Sequence, residues 1–170
     1  MAKQPIDIDL DSSVVRYLAD QILNHGATLG NLKGISDNEL EAVYSVAFGF
    51  YRSGKVEDAE SLFRFLCLFA HLEQKYWIGL GATCQVAGKY EEALGAYGYA
   101  CLLDVGDPRP ALYAANCHVA MGNVVAARDA LHAAIEFSGS SLGNAPYRER
   151  AEALLLLIQD GQNKGVVNHG

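Results

Sequence analysis

The sequence predicts an all-α fold: three tandem helix-turn-helix units stacked into a superhelix, with an N-terminal helix before them and a C-terminal capping helix after them. Three observations predict it. A shift of 34 residues aligns Gly54 with Gly88 and Gly122 and, without a gap, Ala59 with Ala93 and Ala127. The same shift aligns Val46, Leu80 and Ala114, then Val56, Tyr90 and Val124, then Leu66, Ala100 and Ala134. Finally, the chain has 170 residues, of which 51% are apolar and 19% charged, enough for one compact domain with a real core and too apolar for a disordered segment.

The second unit carries the fullest signature, Trp77-x2-Leu80-Gly81 followed by Gly88, Tyr90, Ala93-x3-Tyr97 and Ala100, which is the pattern of a tetratricopeptide repeat. Each column has a physical reason. Small residues at Ala47, Gly81 and Ala115, and at Ala59, Ala93 and Ala127, let the two helices of a unit approach closely, while Trp77, Leu80 and Tyr97 fill the space beside them. Gly54, Gly88 and Gly122 fall where each first helix must end, since glycine accepts the left-handed conformation without a Cβ penalty.

Taken in order, residues 1–35 comprise an amphipathic helix at about 12–24, with Val14, Val15, Leu18, Ile22 and Leu23 on its apolar face, and a glycine-rich flexible linker at 25–35. The repeats occupy 36–137, with units at 40–73, 74–107 and 108–141 by period. Their helices are expected at about 37–53, 56–70, 73–87, 90–103, 108–121 and 124–137, and Ser36-Asp-Asn-Glu39 is a capping box for the first. A capping helix at 144–162 begins near Pro146 and shows Ala151, Leu154, Leu155, Leu157 and Ile158 on one broad face. Residues 163–170 read as a disordered polar tail.

The charge pattern narrows the partners. With 13 basic and 20 acidic residues the net charge is −7, and no basic cluster is present to neutralise phosphates, which argues against nucleic acid and anionic membrane surfaces. The N-terminus is acidic where an export signal would be basic and then apolar, so the protein is expected in the cytoplasm, and the longest uncharged stretch, 110–127, is too polar to insert in a membrane. Cys67, Cys84, Cys101 and Cys117 form no C-x-x-C pair, so neither disulfides nor a metal site is expected. No catalytic motif occurs, and adjacent helical residues such as Cys117 and His118 point about 100° apart, so no enzyme activity and no cofactor are expected. Glu57-Asp58 and Glu91-Glu92 open second helices, where negative charge favours the helix dipole.

What remains for function is an aromatic stripe, Tyr44, Phe48 and Tyr51, at spacings that put it on one face of the first helix. In such superhelices the first helix of each unit lines the concave surface through repeat positions 2, 5, 9 and 12. That register selects Glu41, Tyr44, Phe48 and Tyr51, then Lys75, Ile78, Ala82 and Gln85, then Arg109, Leu112, Asn116 and Val119. The competing reading is that the stripe is core. Against it, Val43, Val46, Ala47 and Phe50 already supply a packing face. Tyrosine also suits a peptide groove, offering apolar area with a polar tip.

The run from Ser36 to Phe48, the Gly54-Lys-Val-Glu-Asp-Ala59 turn, Gly79-Leu-Gly-Ala82, and Asp107-Pro-Arg-Pro110 leading to Ala114-Ala-Asn-Cys-His118 together resemble the translocator chaperones of bacterial type III secretion systems. The resemblance implies a cytoplasmic, non-enzymatic chaperone that shields hydrophobic pore-forming translocator proteins before secretion. It implies that an extended translocator segment with spaced prolines and a leucine lies in the groove, with an aromatic pocket at Tyr44, Phe48 and Tyr51. It further implies a homodimer through the N-terminal helix and first repeat, burying Val14, Val15, Leu18 and Ile22. The alternative function is a general repeat scaffold that docks a peptide of some other partner. A carboxylate clamp for such a scaffold would need groove cations, for which Lys75 and Arg109 are the candidates.

Overall fold

The computed structural model describes residues 16, 20, 21, 25–139 and 141–167, with 161–167 described by their backbone. A short helix, α1 (Leu29–Lys33), precedes three helix pairs: α2 (Asp37–Arg52) with α3 (Val56–Phe69), α4 (Gln74–Val86) with α5 (Tyr90–Leu103), and α6 (Arg109–Ala120) with α7 (Val124–Ser138). A 3-10 turn (Leu142–Asn144) leads into α8 (Ala145–Val167), which packs on α7. No strand occurs among the described residues.

Local chemistry sets the boundaries. Ser36 caps α2: its Oγ accepts from the Glu39 amide at 3.3 Å, and the Glu39 carboxylate accepts from the Ser36 amide at 2.8 Å. That exchange holds the Glu39 carboxyl below its ordinary range, chiefly through the Ser36 hydroxyl. The first helix of every unit ends at the repeated glycine, with φ of 75°, 74° and 72° at Gly54, Gly88 and Gly122. Such a backbone strains any residue with a Cβ.

Packing within the second unit and between it and the first depends on two glycines of α4. A Cβ on Gly81 would lie 2.5 Å from the Tyr97 ring, and one on Gly79 would lie 2.1 Å from Phe63, so both rings occupy space that only glycine leaves open. Tyr97 and Phe63 are consequently almost fully buried. One apolar cluster, which includes Ala47, Ala59, Phe63, Leu66, Leu80 and Tyr97, spans the first two units. A second joins Leu112, Ala115, Leu131 and Ala134 of the third unit to Ala151 of α8. Trp77 is only partly buried: its indole N–H donates to the His71 carbonyl at 2.7 Å and its ring lies 4.4 Å from Tyr99.

Several expectations are corrected. The 25–35 segment is not a free linker. Thr28 caps α1 through a reciprocal exchange with Asn31, and Gly30 is buried, because a Cβ there would come 2.8 Å from the Phe69 carbonyl oxygen of α3. Two of its glycines serve shape, with φ of 63° at Gly26 and 73° at Gly34. Val46 is half exposed rather than packed, since Ala47 beside it takes the buried position. On α8, Ala151, Leu154, Leu155 and Ile158 pack against the third unit, but Leu157 points outward and is 67% exposed. The α8 backbone continues to Val167, through residues read as tail. Val14, Val15, Leu18 and Ile22 lie outside the described residues.

These contacts predict opposite responses to one substitution. Gly81→Ala should lower unfolding free energy by roughly 1–3 kcal/mol through overpacking against Tyr97. Gly95→Ala, whose Cβ would meet nothing within 4 Å, should raise it by roughly 0.5–1 kcal/mol. Urea denaturation followed by circular dichroism measures both, and equal effects would contradict the packing described.

Candidate functional site

The first helices of the three units, with contributions from α3, α5 and α8, enclose a groove of about 620 Å³. Tyr44, Phe48 and Tyr51 of α2 form one wall as a continuous ladder: Tyr44 and Phe48 stack with centroids 6.2 Å apart, Phe48 and Tyr51 with centroids 6.4 Å apart. The three rings are not equivalent. Tyr44 is anchored to the core, edge-on to Phe63 at 6.1 Å and tilted to Tyr76 at 5.6 Å. Phe48 is 44% exposed, an aromatic ring presented to solvent at the rim of a concave surface.

Lys75, Ile78, Ala82 and Gln85 of α4 line the middle of the groove, as the register predicts, together with Gly79 and Val86. Lys75 is paired with Glu41, which stands beside the groove rather than in its wall, and lies over the Tyr44 ring at 5.1 Å. The Glu41 hydrogen bond holds the Lys75 ammonium above its ordinary range. The Gln85 side-chain carbonyl accepts from the Tyr97 hydroxyl at 2.9 Å, fixing an amide within an otherwise apolar stretch. Burial also raises the Tyr97 phenol, which leaves it a neutral donor.

In the third unit the register is corrected by one residue. Arg109 and Asn116 line the groove, but Leu112 is fully buried and Val119 lies outside the lining; Tyr113 and Ala120 take their places. The reason is the end of the superhelix. Here α6 packs against α7, whose far side is covered by α8, and Leu112 fills the cluster formed with Leu131, Ala134 and Ala151. Tyr113 then turns toward Tyr97, with centroids 5.7 Å apart, and burial raises its phenol. Arg109 is held by Asp107, whose two carboxylate oxygens accept from its guanidinium at 2.7–3.0 Å while Oδ1 accepts its backbone amide at 2.9 Å.

Four kinds of lining residue escaped the sequence reading. Phe63 and Tyr97 come from second helices and reach the groove floor through the space left at Gly79 and Gly81. Tyr90 lines it from the start of α5, Tyr113 from the shifted register, and Arg150 from α8. The first pair had a visible signal, small residues opposite large aromatics. Arg150 had none, because its place depends on how α8 crosses the third unit.

Reactive groups elsewhere are occupied. Glu60, Cys84 and Glu92 bring ligand-type atoms within 4.8 Å of one another, but the Glu60 carboxylate accepts from Lys89 at 2.9 Å and from Arg64 at 2.8 Å, and Arg64 also pairs with Glu92. The Lys89 bond is the main cause that holds the Glu60 carboxyl below its ordinary range. Burial pushes the Cys67 thiol up to about 12 and Cys117 to about 11, where neither is a nucleophile at neutral pH. His118, next to Cys117, has a buried Nδ1 with no hydrogen-bond partner.

An aromatic, partly polar groove on the inner face of stacked helix pairs defines a helical-repeat protein with a concave candidate binding surface. The tetratricopeptide repeat family model matches residues 40–71 and 75–105. The low calcium response locus protein H of Yersinia pestis is 36% identical over 149 residues, 88% of this chain and 89% of that protein. Among solved structures, the type III secretion translocator chaperone SycD of Yersinia enterocolitica superposes with a TM-score of 0.74 at 34% identity, covering 77% of this chain and 98% of that one. PcrH, known from Pseudomonas aeruginosa, solved in complex with the chaperone-binding region of PopD, gives a TM-score of 0.73 at 33% identity, covering 76% and 97%. The chain belongs to the family of type III secretion translocator chaperones.

The shifted register separates two neighbouring side chains. Leu112→Ala should cost about 2–5 kcal/mol of stability by opening a cavity in the second cluster. Tyr113→Ala should cost only about 1 kcal/mol. Thermal melts of the two variants check this, and equal losses would return Tyr113 to the core.

Proposed function

We propose that this protein is a cytoplasmic chaperone that holds an extended, hydrophobic segment of a type III secretion translocator in the groove before secretion. The observation that carries the reading is the exposed Phe48 ring, set between Tyr44 and Tyr51 at the mouth of a cavity floored by Phe63 and Tyr97. An isolated exposed aromatic is ordinary, but three in a ladder on a concave face form a surface that burial of a partner's apolar side chains would stabilise. The amides of Gln85 and Asn116 supply hydrogen bonds to an extended backbone, which fits strand-like or proline-containing segments. That PcrH was solved with the chaperone-binding region of PopD, and SycD with a peptide of the translocator YopD, supports the same ligand class here.

The mechanism is binding, without catalysis and without a cofactor. The net charge of −7 keeps a complex with an aggregation-prone client soluble. A general scaffold with a carboxylate clamp is less well supported, because Lys75 is engaged by Glu41 and Arg109 by Asp107. Residues 1–35 are assigned to homodimer formation through Val14, Val15, Leu18 and Ile22, residues 36–137 to client binding and 144–162 to capping. The existence of SycD in an alternative dimer supports self-association as a property of such chains.

Phe48→Ala should weaken binding of the PopD chaperone-binding region roughly tenfold, as loss of an aromatic anchor does, with helical content unchanged. Isothermal titration calorimetry with circular dichroism measures both, and unaltered affinity would remove the groove from the mechanism. Deletion of residues 1–24 should shift the protein toward monomer in analytical ultracentrifugation. A truncated chain sedimenting as the same oligomer would place the interface elsewhere.

A further inference from the structure

Among the described residues three cations line the groove, Lys75, Arg109 and Arg150, and no aspartate or glutamate does, although acidic residues outnumber basic ones 20 to 13 in the chain. Two of the three are already spent on intrachain partners, Lys75 on Glu41 and Arg109 on the bidentate Asp107. Among the described residues, Arg150 forms no ion pair or hydrogen bond, even though Arg148, on the same helix, is paired with Glu152 at 3.0 Å and bonded to the Gly139 carbonyl. It lines the groove with Tyr113, whose hydroxyl also has no partner among the described residues.

We infer that Arg150, which lines the groove together with Tyr113, is a specificity-determining site that pairs with a side-chain carboxylate of the bound segment. The inference rests on the groove being the client site. A segment covering the aromatic ladder and running toward α8 removes water from around Arg150. A guanidinium losing water without an acceptor is destabilising, so the favoured segment brings one. A carboxylate is the acceptor that matches both the planar fork of arginine and the positive sign of this end. The groove is then polarised: apolar side chains are read at α2 and an acidic side chain at the junction of α6 and α8. This fixes the direction in which the segment lies, because reversing it would set an acidic residue against the Tyr44, Phe48 and Tyr51 wall.

The test is an aspartate scan. Fluorescein-labelled peptides of the PopD chaperone-binding region, each with Asp, Asn or Lys at one position in turn, are titrated by anisotropy at low and high salt against the wild-type chain, Arg150→Gln, Arg150→Glu and Phe48→Ala. Near one end of the peptide, Asp should bind roughly fivefold more tightly than Asn to the wild type. That preference should vanish in Arg150→Gln, fade at high salt, and invert in favour of Lys at the same position in Arg150→Glu. If no position prefers Asp, or if the preference survives in Arg150→Gln, the assignment of Arg150 is overturned while the groove reading stands. If Phe48→Ala binds every peptide as well as the wild type, the groove is not the client site and both fall.

Discussion

The structure depends on the approach of two aromatic rings, one from the first unit and one from the second, to glycine backbone of α4. Phe63 and Tyr97 lie where the Cβ atoms of Gly79 and Gly81 would otherwise be, and the four residues lock α3 and α5 onto α4. Because α4 is an inner helix, rings that enter from behind it also emerge as the groove floor. Core packing and the candidate binding surface are therefore one construction: shaving either ring would widen the groove and open a cavity in the core together. Anchoring passes outward from there, from Phe63 to Tyr44 and from Tyr44 along the stacked ladder to the exposed Phe48.

Charge is arranged around the same groove by pairing. Glu41 with Lys75 and Asp107 with Arg109 place opposite charges at the groove in balanced pairs, while the Glu60, Arg64, Lys89 and Glu92 network ties the second helices of two neighbouring units. The pairs hold their cations in fixed places and remove them from competition for a ligand. This is why Arg150 stands out: of the three groove cations it alone, among the described residues, has no ion-pair partner.

Much of the fold was legible because repetition multiplies weak signals. One Gly-x4-Ala turn is uninformative, whereas three at a 34-residue shift identify the architecture, and each recurring glycine takes the left-handed conformation its column implies. The α2 wall and the α4 lining were legible for the same reason. The segment around Gly26, Gly30 and Gly34 was misread, because glycines that permit close approach to the Phe69 carbonyl look in sequence like glycines that permit flexibility. The third unit was misread at Leu112 and Val119, because a register carried over from inner repeats assumes a following repeat, and here α8 takes that place.

The amino-acid sequence by itself determined the helix pairs, their boundaries and the aromatic character of the groove, since these follow from local conformational preference and from spacing along one helix. Only the tertiary structure decided which residues share the groove across helices. Phe63 and Tyr97 arrive through gaps left by glycines, Tyr113 replaces Leu112 when α8 becomes the last layer, and Arg150 reaches the site from the capping helix. The physical reason is that periodicity specifies which face of a helix is apolar, while the rotation of that face depends on the neighbours against which it is packed.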